Sequence, residues 1–393
     1  MRNRKIRICY ALNTFDLGGA ETVAFDLARS HDPAIFEIEV VAFTEPRRAT
    51  EAEMHRRMRE AGVRTVSITQ ANYRSPVALW RIYRYLKQGH FDIVHGHNRG
   101  SDYWGVRLGR LAGVPFRFWT RHLIYGDMTA RQLGRYGWAA RHAAKVVAVS
   151  EPVRQACIDT EKIPEGILET IVNGIDLERF KILAAREKED VRASLGLTST
   201  ERMVLFVGRF SEQKAPEAFI ELIRRLRLED PSVRGFMCGY GPLEGRLAGL
   251  VASCAGVEIL GLRADVPDLL GACDLFVSTS RNEGLPLNVM EAMACGCAFV
   301  APGIPQIGQL AQDNRDLRGQ LFAPPPECGD VPADLLDSWV AAARATLMDE
   351  ERHRCVGAAG RDVIERQFSL GAMVERYEKL FTDAIEGQGK TKD

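Results

Sequence analysis

The chain lacks a charge excess: 52 Lys and Arg balance 52 Asp and Glu over 393 residues. Nothing global therefore marks a polyanion binder such as a nucleic-acid protein. It also lacks a long hydrophobic run. The longest uncharged stretch, 292–312, is broken by three Gly and two Pro, which excludes a membrane span there. The basic start MRNRKIRICYAL is followed by only a few apolar residues before Asn13 and Asp16, which predicts a first strand and not a signal peptide. No Cys-x-x-Cys occurs. The nine cysteines are odd in number and scattered, which suits a reducing cytosolic compartment. Cys295-x-Cys297 has no matching His or Cys pair nearby and is not read as a metal site.

What is present is an ordinary globular composition, 46% hydrophobic and 26% charged, at a length suited to two domains. Charge is divided unevenly. Residues 1–175 hold 26 Lys and Arg against 18 Asp and Glu, and the remainder hold 26 against 34, so the balances are +8 and −8. Short apolar runs alternate with amphipathic stretches almost throughout. Strands are predicted at 6–12, 37–43, 64–67, 92–97, 116–122, 145–150 and 170–173, with helices such as 20–30, 76–88, 101–112 and 129–143 between them. Several strands are continuously apolar, as parallel strands buried on both faces are. Residues 176–200 read as a charged linker with one short helix. The alternation then restarts, with strands at 203–208, 234–239, 257–260, 274–278, 298–301 and 320–322, and the tail 332–386 is helical. The fold class is therefore α/β, with two doubly wound, Rossmann-like domains. Two such domains in tandem set the carboxyl ends of two parallel sheets across one cleft, where these folds bind ligands.

Three motifs carry chemistry. LGGAE (17–21) follows the first strand; Gly18 and Gly19 permit close backbone approach before a helix N-terminus, although a tight turn alone needs the same residues. The dinucleotide fingerprint Gly-x-Gly-x-x-Gly is absent. FVGRFSEQK (206–214) puts Arg209 and Lys214 beyond a strand end, a planar fork and a point charge suited to a diphosphate, or merely two solvated charges. STSRNEGLPLNVMEAMACG (278–296) is the sharpest. A loop with Glu283 and Gly284 leads through Pro286, expected in the first helical turn, into a helix that carries Glu291 and stops at Gly296. Its N-terminus offers free N–H groups to an anion, and the two carboxylates can take sugar hydroxyls, or serve merely as a partner of the helix dipole and a charge on the helix surface.

With these motifs in hand, the chain resembles the retaining glycosyltransferases of family 4, which have the two-domain GT-B fold. The match runs nearly the whole length: GGAE (18–21), FDIVHGH (91–97), VNGID (172–176), VGRF with Lys214, GYGPLEGRL (239–247), ILGLRADVPDLLGACDLFVSTS (259–280), the E-x7-E element of Glu283 and Glu291, and the C-terminal FS…Y segment. The resemblance implies that residues 1–177 with 372–393 bind an acceptor, the last helix crossing back to the N-terminal domain, and that residues 178–371 bind a nucleotide-sugar donor. It implies that Arg209 and Lys214 bind the donor diphosphate together with backbone at Gly284, Leu285 and Leu287, that Gly18 and Gly19 approach the donor, that Glu291 holds the ribose and Glu283 the sugar, and that 260–263, including Leu262, lie against the base. His122, at the end of the strand FRFWTRH, matches a histidine that family members often have beside the donor sugar; of His95 and His97, at least one is expected to be core. The family's usual Gly-Gly-x-x-Glu after E-x7-E is replaced by VAPGIPQIGQ, with Gln306 where that Glu would fall. Asp-x-Asp, the metal–diphosphate signature of the other large glycosyltransferase fold, is absent, so no metal or other cofactor is expected.

The basic half interleaves Arg with aromatics in 81–87, 107–121 and 131–145. Peripheral membrane surfaces have this texture, as do ordinary amphipathic helices with Arg outside. The expectation is thus a cytoplasmic, metal-independent, retaining glycosyltransferase, placed peripherally on the inner membrane face. It would move a sugar from a UDP-sugar, with a GDP-sugar as the second choice, to a glycan or lipid-linked glycan hydroxyl in cell-surface polysaccharide or glycolipid synthesis. A non-hydrolysing sugar-nucleotide epimerase and a non-catalytic sugar-nucleotide-binding subunit are the rival readings. The match to VGRF…K and E-x7-E favours transfer over both.

Overall fold

A computed structural model describes residues 4–46, 48–70, 72–126 and 128–387. The chain forms two compact units, 1–173 with 370–393 and 174–369. Residues 174–177 thus group with the second unit, where the sequence reading had put them in the first. Ile175 explains this: its N–H donates to Phe368 O at 2.8 Å and it bridges Ser369.

The first unit is a seven-stranded parallel sheet: β1 (Ile6–Leu12), β2 (Phe36–Ala42), β3 (Arg64–Ser67), β4 (Ile93–Gly96), β5 (Phe116–Arg121), β6 (Lys145–Ala148) and β7 (Leu168–Thr170), in the order β3-β2-β1-β4-β5-β6-β7. β1 is central, and Ile8 lies opposite both Ile38 and Ile93. Its residues 8–12 are wholly buried, which is why it shows no polar alternation. Helices lie between the strands, including Ala49–Glu60, which the sequence reading did not name. Two expected strand ends move for local reasons. β6 stops at Ala148 because Ser150 is needed as the cap of helix Glu151–Asp159, its hydroxyl accepting from Val153 N at 3.3 Å. β7 falls at 168–170 and not 170–173. The helix expected at 129–143 spans Ala130–Ala140, opened by a capping box of Thr129 and Gln132. The last helix, Leu370–Gly387, returns to this unit and buries Tyr377 and Phe381.

The second unit is a six-stranded parallel sheet: β8 (Arg202–Val207), β9 (Val233–Cys238), β10 (Val257–Gly261), β11 (Leu275–Val277), β12 (Phe299–Pro302) and β13 (Leu321–Phe322), ordered β10-β9-β8-β11-β12-β13. In both units the strand order reverses once, between β1 and β4 and between β8 and β11. Loops leaving such neighbouring strands diverge to opposite faces and open a crevice at the carboxyl edge. No helix among the described residues is long and apolar enough to cross a membrane.

Candidate active site

In the second unit the loops after β8 and β9 pack backbone on backbone. Gly208 N donates to Cys238 O at 3.0 Å, and Phe210 N to Tyr240 O at 2.8 Å. A Cβ on Gly239 would sit 1.9 Å from Gly208 O, and one on Gly241 2.4 Å from Phe210 O, so both positions need glycine. This contact fixes where the β8 loop runs. Arg209 emerges from it exposed, with no ion-pair partner among the described residues. A short 3-10 turn, Glu212–Lys214, follows, and Ala215 adopts a left-handed φ of 45°. Such a conformation is strained for a residue with a Cβ. It is held by Thr279, whose hydroxyl is bonded to Lys214 O at 2.7 Å and Ala215 O at 3.0 Å.

The loop after β11 is tied to that turn. Arg281 N donates to Gln213 O at 2.8 Å, Gln213 Nε2 to Asn282 O at 2.8 Å, and the Arg281 guanidinium to Glu212 O at 2.9 Å and to Pro326 O and Gly329 O. The result brings Lys214 and Glu283 together: Nζ is ion-paired with the carboxylate, and Glu283 is only 5% exposed. Gly284 and Leu285 are buried beside them, and Leu287 opens the helix Leu287–Ala294. Pro286 is the cap just before this helix and not a residue of its first turn. That first turn carries no acid, so no carboxylate within it offsets the positive end of the helix dipole. Asn288 Nδ2 anchors the helix to β8 through Val207 O at 2.9 Å. Glu291 lies half-buried in the helix, and Leu262 is exposed just beyond β10. Gln306 is buried in helix Pro305–Ala311. Among the described residues no group of three or more His, Cys, Asp or Glu side chains is placed to hold a metal ion.

Gly18, Gly19 and His122 belong to the first unit. Gly18 caps helix Gly19–Ser30, and a Cβ there would meet the Glu21 carboxylate at 2.5 Å. Asn98 Nδ2 donates to that carboxylate at 3.0 Å, while Asn98 Oδ1 accepts from Asn13 N at 3.0 Å, so the loops after β1 and β4 are clamped together. His122 stands half-buried just past β5 and shares a 3.1 Å hydrogen bond between its Nε2 and His97 Nδ1. His95 is core: it bonds Thr120 Oγ1 at 2.8 Å, which in turn meets Tyr377 OH at 3.0 Å on the returning helix. His97 is buried as well. Burial pushes His95 and His97 well below the ordinary histidine value, and burial with the neighbouring Arg121 takes His122 down to about 3. All three are neutral imidazoles at physiological pH.

The sequence reading missed the charged cluster behind His122. Arg121 is 1% exposed. It bonds Asp102 Oδ2 at 2.8 Å and Glu161 Oε2 at 2.5 Å, with the rings of Tyr136 and Tyr125 at 4.5 and 5.1 Å from its guanidinium carbon. Tyr136 OH donates to Asp102 Oδ1 at 3.0 Å. Arg121 at the end of the buried stretch FWT in the strand FRFWTR was the available signal, since a buried Arg needs carboxylates.

Two family models match the chain: Glycosyltransferase Family 4 over residues 17–179, and Glycosyl transferases group 1 over residues 187–356. The chain is 28% identical over 321 residues to the UDP-Gal:alpha-D-GlcNAc-diphosphoundecaprenol alpha-1,3-galactosyltransferase of Escherichia coli, covering 78% of this chain and 79% of that one. It is 30% identical over 325 residues to a D-inositol 3-phosphate glycosyltransferase of Salinispora tropica, covering 76% of this chain and 65% of that one. Among solved structures, HepE of Anabaena, crystallised with UDP and glucose, superposes with a TM-score of 0.81 at 18% identity, covering 96% of this chain and all of that one.

Proposed function

The chain belongs to the family 4 glycosyltransferases, and on that premise we propose that it transfers a sugar from a nucleotide-sugar, a UDP-sugar first, to a hydroxyl of a glycan or lipid-linked glycan, with retained anomeric configuration and without a metal. One arrangement carries the reading. Lys214, ion-paired to the buried Glu283, and Arg209, without an ion-pair partner among the described residues, stand on the loop after β8, beside a helix whose first turn holds no acid. Charge building on a leaving diphosphate is what such a preset field stabilises. In this reading 178–371 is the donor domain, and 1–177 with 372–393 takes the acceptor. Arg209, Lys214 and the backbone at Gly284–Leu287 hold the diphosphate; Gly18 and Gly19 approach the donor; Glu291 takes the ribose hydroxyls; Glu283 and His122 orient the sugar. The acceptor hydroxyl arrives on the face the diphosphate leaves, and a leaving-group oxygen takes its proton. A neutral His122 offers that reaction a hydrogen bond and no charge.

The donor base and a lipid-linked acceptor are supported by the name of the Escherichia coli relative and by the UDP bound in HepE. A cytoplasmic, membrane-peripheral setting is supported by helices Pro76–Gln88, Ser101–Ala112 and Ala130–Ala140. They carry seven Lys or Arg and a single acid, Asp102, which is buried on Arg121. Arg84 lies 4.8 Å from the Trp80 ring, and Arg107 is within 6 Å of both Trp104 and Trp138. Trp80 and Leu111 are 53% and 61% exposed.

The test is a panel of nucleotide-sugars, read by thermal stabilisation and by slow hydrolysis without acceptor. Arg209→Ala and Lys214→Ala are each expected to cost about 2–4 kcal/mol in donor turnover. Near-normal turnover of both variants at saturating donor would overturn the assignment, and loss of activity in chelator restored by Mg²⁺ would overturn metal independence.

A further inference from the structure

A neutral imidazole carries one N–H and one lone pair, so the partners of its two nitrogens decide which of them holds the proton. β4 and β5 are neighbours, and they bring three such rings into one stack. His95 and His97 lie 4.4 Å apart at 27°, and His97 and His122 lie 5.4 Å apart at 30°. Burial keeps all three uncharged. His97 is fixed in place. Its backbone N–H donates to Ala11 O at 3.1 Å, and its ring crosses that of Tyr10 at 73° with centroids 5.2 Å apart. Tyr10 is held in turn by a 2.5 Å hydrogen bond between its hydroxyl and His31 Nε2.

His97 is 1% exposed, and its Nε2 has no bonded partner among the described residues. Protein interiors tolerate a bare lone pair more readily than an orphaned N–H. The His97 proton therefore sits on Nδ1, the nitrogen 3.1 Å from His122 Nε2, and His122 Nε2 accepts it with a lone pair. The proton of His122 then sits on Nδ1, which has no bonded partner among the described residues. The same accounting gives His95 the opposite form: its buried Nδ1 is the orphan, and its Nε2–H donates to Thr120 Oγ1 at 2.8 Å. A free imidazole side chain in water favours Nε2–H, so His97 holds His122 in the form it would otherwise populate less.

We propose that His97 is a positioning residue for the transfer: its Nδ1–H fixes His122 as the Nδ1–H tautomer, so that His122 meets the donor sugar as a hydrogen-bond donor. This rests on the donor-site reading above and adds the residue that sets the polarity of His122. A sugar oxygen bonded in this way gives up a lone pair and keeps its own proton, whereas the other tautomer of His122 would demand that proton.

The experiment records long-range proton–nitrogen correlation spectra of the full chain labelled with nitrogen-15 histidine, in which protonated and bare ring nitrogens are distinct. His95→Gln, His97→Asn and His122→Gln assign the signals. Wild type is expected to show Nδ1–H for His97 and His122 and Nε2–H for His95. His97→Phe removes the donor, and His122 should shift toward Nε2–H. His97→Asn places an amide N–H where Nδ1–H stood and should restore the wild-type pattern. The second readout is hydrolysis of UDP-glucose or UDP-galactose, whichever wild type turns over faster, beside the dissociation constant of UDP, which has no sugar for His122 to meet. His97→Phe should lose about tenfold in turnover at saturating donor with UDP binding within about twofold, and His97→Asn should recover most of the loss. A wild-type His122 that carries its proton on Nε2, or on both nitrogens in comparable shares, overturns the proposal without any variant, as would happen if the Tyr10 ring face accepted a His97 Nε2–H. An unchanged His122 tautomer in His97→Phe overturns it too. Equal losses in UDP binding and turnover mark a merely structural role and overturn the positioning while leaving the donor site standing. A wild type that binds neither UDP nor a UDP-sugar overturns the donor-site reading, and the tautomer is still read from the spectrum.

Discussion

Replacing Arg121 by Met keeps the reach of the side chain and strips the cation that Asp102 and Glu161 share. Those carboxylates are 1% and 4% exposed, so water cannot take over. Removing one partner of a buried ion pair costs about 3–5 kcal/mol, mostly as the penalty of the charge left behind. Here one cation serves two carboxylates and two aromatic faces, so the whole range applies. For a unit of nearly 200 residues this corresponds to a melting shift of about 6–20 °C. The pH dependence sharpens the test. Burial already holds the Glu161 carboxyl above its ordinary value, with Arg121 opposing. A carboxyl raised in the folded state keeps its proton when the unfolded chain has lost it, so its penalty grows as pH rises and fades toward acid. Without Arg121 the rise is larger. The deficit of Arg121→Met relative to the parent should therefore shrink between pH 8 and pH 5, as followed by thermal and urea unfolding at each pH. Adding Asp102→Asn and Glu161→Gln should recover most of the loss. A deficit under about 1 kcal/mol at pH 8, or one that stays constant on acidification, would refute the argument.

The buried histidines give the opposite slope. His95 and His97 stay neutral when folded, whereas the unfolded chain protonates below about pH 6.5, so stability should fall with acid by up to about 1.4 kcal/mol per pH unit for each; His95→Gln with His97→Gln should flatten the melting-temperature profile between pH 7 and 5. Gly239→Ala drives a methyl into Gly208 O, so nucleotide stabilisation in a thermal-shift assay should be lost even where the variant remains soluble, and retention of wild-type stabilisation would contradict the close contact. Binding to anionic vesicles should be measurable at low salt, weaken as salt rises, and drop when Arg131, Arg135 and Arg141 become Glu; each well-placed cation contributes about 1 kcal/mol. A wild type that ignores such vesicles at low salt would reassign the basic face to a soluble acceptor.

Many of the strand positions could be read because their cause is local. A parallel strand buried on both faces must be apolar wherever it is buried, and Ile6–Leu12 and Arg202–Val207 are apolar except at the partly exposed Arg7 and Arg202. Glycine and proline punctuation did the same for the helix Leu287–Ala294 and its surroundings. Where the reading slipped, at β6 and β7, a cap or a pairing partner decided the boundary, and a single segment does not carry that information.

By itself the sequence determined the α/β class, the division into two units and the residue types that reach the carboxyl edges, because periodicity and spacing are properties of neighbours along the chain, and its motifs carried the resemblance to the family. Only the tertiary structure decided which polar and charged groups meet. Lys214 and Glu283 are 69 residues apart, Arg121 and Glu161 are 40 apart, and Thr120 and Tyr377 are 257 apart. Their pairing depends on which strands adjoin and where each loop leaves the sheet. The tertiary structure alone also neutralised His95, His97 and His122, since desolvation is a property of everything packed around a ring and of nothing written beside it in the chain.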